Sequence, residues 1–269
     1  MTLGGATSIQ ADPFPKSLRD EAYASTVPSS GYERIANFTE QNRYFKASNS
    51  VGRLLVKYQN EDETCTATLI SKDLVITARH CIHIKIENTA GGPSEFSPNQ
   101  IFIYFKDRQA RDTKRGVEYT VDRTPIEENA ELDYAILKLK SAAPAEYRFL
   151  TFSTRAATRD EEFFLIHHPR GEVQTLSRFN CRLGGDGDSG LENRQAHLCN
   201  TEPGSSGGVL LLDNDAVPQI VGVHVASKAS ANQSSILLMT SSATIASKSC
   251  IVKSLIADAS KDPLLRCGR

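Results

Sequence analysis

One stretch of the chain carries residue types and spacing suited to acyl transfer. Thr201-Glu202-Pro203-Gly204-Ser205-Ser206-Gly207-Gly208 reads as a tight glycine-rich turn that displays a serine. It runs straight into the apolar segment Val209-Leu210-Leu211-Leu212. A serine hydroxyl is a weak nucleophile until an imidazole takes its proton and backbone N–H groups stabilise the oxyanion that forms. Gly204 has no Cβ to obstruct a reacting carbonyl. The N–H groups of Gly204 and Ser206 could therefore converge as an oxyanion hole. Taken alone, the octapeptide reads equally well as a plain turn or linker.

Two further stretches supply the missing partners. Thr77-Ala78-Arg79-His80-Cys81 follows the apolar run Leu74-Val75-Ile76, and Asp133 opens the run Tyr134-Ala135-Ile136-Leu137. His80 would act as general base toward Ser206 and then as general acid toward the leaving amine. An imidazole, with its ordinary pKa of about 6.5, suits both tasks near neutral pH. Asp133 would accept a hydrogen bond from the other ring nitrogen and fix the tautomer. In isolation His80 reads as a core histidine and Asp133 as a strand-edge charge. In the order His80, Asp133, Ser206, each at the end of an apolar run, they read as a catalytic triad.

In these stretches the chain resembles the chymotrypsin-like, trypsin-fold serine peptidases, and most closely their bacterial glutamyl endopeptidase and lysyl endopeptidase-like branch. The resemblance extends over residues 32–256. It rests on Thr77–Cys81, Asp133–Leu137, His168-Pro169-Arg170-Gly171, Thr201–Gly208 and Gly222-Val223-His224. It implies an all-β fold of two antiparallel six-stranded β-barrels with a C-terminal α-helix. The first barrel would span residues 32–145 and the second 146–269. Residues 1–31 would form an N-terminal arm or propeptide. The implied activity is that of a secreted serine endopeptidase acting on proteins or peptides. The alternatives are a different residue preference, or a zymogen-like or non-catalytic homologue acting as a binding protein.

The resemblance also bears on specificity. Trypsin-like enzymes that select Lys or Arg carry a carboxylate six residues before the nucleophile. That position here is the neutral Asn200, and residues 216–256 contain no Asp or Glu. A basic side chain in this pocket would be left desolvated and unpaired. Glutamyl endopeptidases are similar to this chain in placing a histidine where His224 stands and a threonine where Thr201 stands. Both are donors to a carboxylate, which strengthens such bonds by its charge. The expectation is cleavage after Glu. Three departures bear on the pocket and its surroundings: Arg79 before the histidine, Val209 where a proline is usual, and Val225-Ala226-Ser227 without pocket-mouth glycines. Gly31–Asn37 resembles the entry to a mature domain, with cleavage after Glu33 or Arg34 as a conceivable activation step. Ser205 stands where trypsin-like zymogens carry the aspartate that receives a new N-terminus, so processing is not expected to work through that ion pair.

The elements that must position these groups are legible as short apolar runs with polar breaks. Strands are expected at residues 51–58, 65–70, 74–77, 101–105, 117–121 and 134–139. A second set is expected at 163–167, 173–177, 196–200, 209–212, 219–225 and 236–240. Residues 140–158 form the crossover. Near the end, Ser241 or Ser242 could cap a helix carrying Ile245, Val252, Leu255 and Ile256. Residues 88–94 and 184–190 read as surface loops. Asp186-Gly187-Asp188 lacks the length and terminal glutamate of a calcium loop. His167-His168 reads as structural, and His83 and His197 receive no role.

Composition narrows the class further. The chain has 269 residues and a net charge of −1, with both signs spread along it. Nothing there points to a nucleic-acid or anionic-membrane partner, and no apolar run approaches the ~20 residues of a spanning helix. No cofactor or metal is expected, and the protein is expected to act as a monomer. Six cysteines are present, none in a Cys-x-x-Cys pair. The family resemblance pairs Cys65 with Cys81. Cys181 and Cys199 flank an expected hairpin, which leaves Cys250 for Cys267. Disulfides would place the protein in an oxidising compartment, secreted or periplasmic. The first 30 residues show no hydrophobic signal core.

Overall fold

The computed structural model describes residues 31–59, 61–88, 92–109, 116–185, 193–213, 217–229 and 235–268. The expected arm at residues 1–30, most of the 184–190 loop with Asp186 and Asp188, and part of the 88–94 loop lie outside these residues. Two antiparallel sheets form the body, as expected, with strands where the apolar runs fall.

The chain enters through β1 (Glu33–Arg34) and the short helix α1 (Arg43–Ser48). It then builds β2 (Val51–Lys57), β3 (Asp62–Leu69), β4 (Leu74–Ala78), the hairpin β5 (Ile84–Asn88) and β6 (Gly92–Phe96), β7 (Gln100–Phe105), β8 (Val117–Val121), β9 (Glu127–Asn129) and β10 (Tyr134–Lys138). Seven of these make one sheet in the order β8-β7-β2-β3-β4-β10-β9. The second sheet takes β11 (Thr151–Phe152), β12 (Phe163–His167), β13 (Thr175–Ser177), β14 (Gln195–His197), β15 (Val209–Leu212), β16 (Gln219–Ala229) and β17 (Ser235–Ser241). Its order is β1-β13-β12-β15-β16-β17-β14, with β11 added in parallel to the start of β16. The sheets thus hold seven and eight strands where six each were expected. The added ones are the short β1, β9 and β11, which lack an apolar run of their own.

Side-chain alternation divides the second sheet between two interiors. Phe164 and Ile166 face the large core shared with Leu54, Ile76 and Ile103 of the first sheet. Phe163 and Leu165 face a smaller cluster with Leu210, Leu212 and Met239. Strand periodicity of two permits this, so β12 is buried on both faces. Polar links also cross between the sheets. Gln174 Nε2 donates to Ser48 O and Val51 O at 2.9 and 2.6 Å.

Residues 33–34 fall in the second sheet because Glu33 pairs with Leu176 in register and its buried carboxylate accepts from Arg178 at 2.7 Å. The end of the chain forms three short helices, not one: α2 (Ser242–Lys248), α3 (Cys250–Ala257) and α4 (Pro263–Arg266). Ser249 interrupts the run. Its φ/ψ is extended and its hydroxyl accepts from Val252 N, so it ends α2 and caps α3. Disulfides join Cys65–Cys81, Cys181–Cys199 and Cys250–Cys267, matching the expected pairing. Among the described residues no helix is long and apolar enough to cross a membrane.

Candidate active site

His80, Asp133 and Ser206 each lie just beyond the end of a strand, where the ladder stops. β4 and β10 pair in register, Tyr134 opposite Ala78, which brings the residues just beyond them together. His80 lies in the turn after β4 and Asp133 immediately before β10. Asp133 adopts φ +54°, a left-handed conformation that aspartate tolerates better than most residues. The turn before it is held on both sides: Asn129 Oδ1 accepts from Leu132 N, and Thr240 Oγ1 donates to Leu132 O at 2.6 Å.

The result is a two-point grip of Asp133 on His80, backed by a bond to its neighbour Arg79. Asp133 Oδ2 lies 2.8 Å from His80 Nδ1, and Oδ1 accepts the His80 backbone N–H, also at 2.8 Å. The Asp133 carbonyl accepts from Arg79 N at 3.1 Å. A carboxylate at Nδ1 makes that nitrogen the donor and leaves Nε2 as the free acceptor. The His80 side chain is 46% exposed, so the free nitrogen can reach solvent or substrate.

The serine turn comes from the second sheet and is docked on the first by Thr66 of β3. Thr66 N donates to Ser206 O at 2.9 Å and Thr66 Oγ1 donates to Gly204 O at 2.9 Å. Thr66 is beside Cys65, whose disulfide leads to Cys81 and so to His80. The Cys65, His80 and Cys81 donor atoms lie within 4.8 Å of one another, but the two sulfurs are bonded together and offer no thiolate to a metal. Cys81 Sγ lies 3.9 Å from Ser206 O. Gly207 must be glycine: at φ +82° a Cβ would sit 2.2 Å from both Thr66 O and Thr77 Oγ1. The Ser206 hydroxyl makes no hydrogen bond to His80 among the described residues. Such bonds are often long before substrate arrives and tighten on binding.

The Pro203–Gly204 peptide has a defined sense. Pro203 O accepts from Arg170 N at 2.6 Å. In a planar trans peptide the following N–H points the opposite way, so Gly204 N–H faces outward. Neither Gly204 N–H nor Ser206 N–H donates to an acceptor among the described residues. The His168–Gly171 turn thus braces the serine turn, and Glu202 pairs with the Arg170 guanidinium.

The expected pocket residues are brought near, but their polar groups are largely engaged. His224 is 4% exposed and its Nδ1 lies 2.9 Å from His197 Nε2. Burial, then the nearby His80, pushes His224 down to about pKa 4, with a hydrogen bond to the Leu238 backbone opposing. Its backbone locks the serine turn: Gly207 N donates to His224 O and His224 N to Gly208 O, both at 2.8 Å. Thr201 and Asn200 are half-buried. Gly31 packs directly on the Asn200 amide; a Cβ there would be 1.8 Å from Asn200 Nδ2. Asp213, just after the strand that follows the serine turn, is buried against Arg43 and accepts from Tyr44 Oη at 3.1 Å.

Sequence reasoning did not single out Thr66, gave His197 no role, and took Thr77 only as part of the histidine motif. The threonines sit in apolar strands where Thr is an ordinary β-former. His197 had only its residue type as a signal.

Residues 36–237 match the family described as lysyl endopeptidase, C-terminal domain. The chain belongs to that family. Among solved structures, this lysyl endopeptidase-family chain is similar to a Glu endopeptidase in complex with MPD. That match has a TM-score of 0.59 at 18% identity, covering 85% of this chain and 97% of the other. It is also similar to the serine endoprotease from Yersinia pestis, with a TM-score of 0.57 at 16% identity, covering 82% and 68%. At these identities the likeness is one of fold, the trypsin-like one. A curated relative, secreted RxLR effector protein 73 of Plasmopara viticola, is 28% identical over 193 residues, 67% of this chain. The chain spans 45% of that relative's length.

Proposed function

We propose that this lysyl endopeptidase-family chain is an exported serine endopeptidase that hydrolyses peptide bonds through an acyl-enzyme. The carrying observation is the His80–Asp133 pair, with Nδ1 held and Nε2 free, set beside a serine turn docked by Thr66. His80 Nε2 takes the Ser206 proton as Oγ attacks the scissile carbonyl. The N–H groups of Gly204 and Ser206, which meet no acceptor among the described residues, receive the oxyanion. His80 then passes its proton to the leaving amine, and water repeats the sequence on the ester. The three disulfides and the secreted relative support export.

For residue preference we infer cleavage after Glu. Lysine, which the family's description suggests, finds no unengaged acid beside the serine turn among the described residues: Asn200 is neutral, Glu202 pairs with Arg170 and Asp213 with Arg43. Thr201 and His224 remain the groups suited to a carboxylate. A second reading, a small or apolar side chain, is favoured by one observation: His224 is already bonded to His197, and Gly31 covers the Asn200 amide.

The test is digestion of a peptide library by the purified chain beside its Ser206→Ala variant, with a fluorophosphonate probe to label activated serine. Cuts after Glu that vanish in the variant support both triad and pocket. Cuts after small residues keep the triad and replace the pocket assignment. An unlabelled Ser206 in a folded chain overturns the peptidase reading.

A further inference from the structure

His167 lies on β12, fully buried, and belongs to no part of the triad. Its Nδ1 is 2.7 Å from Ser205 Oγ and its Nε2 is 3.0 Å from Ser177 Oγ. Ser205 Oγ also accepts from Glu202 N at 3.0 Å, and Ser177 Oγ donates to Asn200 O at 2.9 Å. These contacts have one consistent set of donors. A serine hydroxyl carries a single proton. That of Ser177 is spent on the Asn200 carbonyl, so Ser177 Oγ can only accept from His167, and Nε2 must be protonated. The neutral ring then offers a lone pair at Nδ1, and the Ser205 hydroxyl must donate to it. Protons therefore run one way, from Glu202 N–H through Ser205, His167 and Ser177 to the Asn200 carbonyl, with every member satisfied. Burial, with His224 and His168 close by, holds the ring well below the usual histidine range, consistent with the neutral form.

The two ends of this relay are informative. One is the turn that precedes the nucleophile. The other is the residue six positions before it, at the pocket. We propose that His167 is a positioning residue: as a neutral acceptor it fixes the Ser205 hydroxyl, and through it the Glu202–Ser206 turn whose Gly204 and Ser206 amides face the substrate. This rests on the peptidase reading of Ser206. The turn is thereby set by uncharged hydrogen bonds that are complete within the folded chain. Residue 205 offers no carboxylate for an ammonium group to meet. Tyr32, edge-on to His167 at 5.6 Å between ring centres, closes the remaining side.

A double-mutant cycle tests this on the full chain. His167→Leu removes the acceptor, and the expected loss is about 10²-fold in kcat, the scale of one oxyanion donor, with KM within threefold. Fluorophosphonate labelling should slow by the same factor. Ser205→Ala should give a similar loss, and the double variant little more than either single one, because both break one link. His167→Asn, whose Oδ1 can stand near the Nδ1 position and accept, should recover at least tenfold over His167→Leu. Should His167→Leu fail to fold, the Asn and Ser205→Ala variants carry the comparison. Losses that multiply in the double variant, or wild-type labelling of His167→Leu, overturn the proposal. Wild-type chain unlabelled at Ser206 would instead overturn the peptidase reading. The relay then has its own readout: a two-bond nitrogen–proton NMR correlation of His167 should show Nε2 protonated, and a protonated Nδ1 refutes it.

Discussion

The rim of the first sheet and the interior of the second both use histidine, in opposite ways. His80 stands half in solvent with a carboxylate on one nitrogen and nothing described on the other. His167, His197 and His224 are buried, and burial is the largest cause pushing each of them down. No carboxylate hydrogen-bonds any of the three among the described contacts; their partners are serines, a backbone carbonyl and each other. The same side chain is a proton carrier where a charge is stabilised and water is near. Where both are withheld it is a fixed donor and acceptor. The difference lies in the surroundings: proton exchange with solvent is open to the histidine at the rim of the first sheet and closed to those inside the second.

Substitutions that remove proton transfer should sharpen this contrast most. Ser206→Ala should lower turnover by about 10⁴-fold or more, with thermal unfolding unchanged. Asp133→Asn should cost about 10⁴-fold in kcat, because the wrong tautomer is then favoured at His80. An Asp133→Asn chain of near-normal activity would remove the basis for separating the two groups of histidines.

Next in size is the joint between the sheets. Gly207→Ala places a methyl group against Thr66 O and Thr77 Oγ1 at a positive φ. It should destabilise the fold by about 2–4 kcal/mol, in the range of severe single substitutions, and reduce labelling of Ser206. Thr66→Val keeps the shape but removes the bonds to Gly204 O and from His168 N. About tenfold in kcat is expected, with a melting temperature lowered by a few degrees, on the scale of one or two buried hydrogen bonds.

The contrast also shows in the pH dependence of stability. The buried rings are neutral when folded and charge near pH ~6.5 when unfolded. Their contribution is therefore complete above about pH 6.5 and is lost as pH falls toward their folded values, about 4 for His224. Each ring contributes a slope of at most about 1.4 kcal/mol per pH unit in that window. Urea midpoints measured from pH 7.5 to 4.5 should fall, and less steeply in His197→Phe. An unchanged slope in that variant would mean that His197 is charged in the folded chain.

Most strands were legible because apolar runs of five or six residues bounded by turns leave few other readings; β10, β12 and β15 fall within a residue of expectation. The three site motifs were legible for the same reason, each following or opening such a run. The remainder was carried by contacts between distant residues. Nothing local marks Thr66 as the clamp of a turn 138 positions away. His167 ends an apolar strand and reads as a packed residue, since its role depends on hydroxyls that only the fold brings within 3.0 Å. The 33–34 strand was invisible because its stability comes from a buried ion pair with Arg178. The division of the terminal helix depended on one serine whose capping role shows only in its backbone angles.

The packing of Gly31 on Asn200 has a practical consequence for anyone handling the protein. Gly31 lies directly on the Asn200 amide, with no space there even for a methyl group. At the opposite end, a side chain added at Gly268 would meet nothing within 4 Å. Purification tags, fluorophores and surface tethers belong after Gly268. A label carried on a side chain at position 31 would instead push against the Asn200 amide.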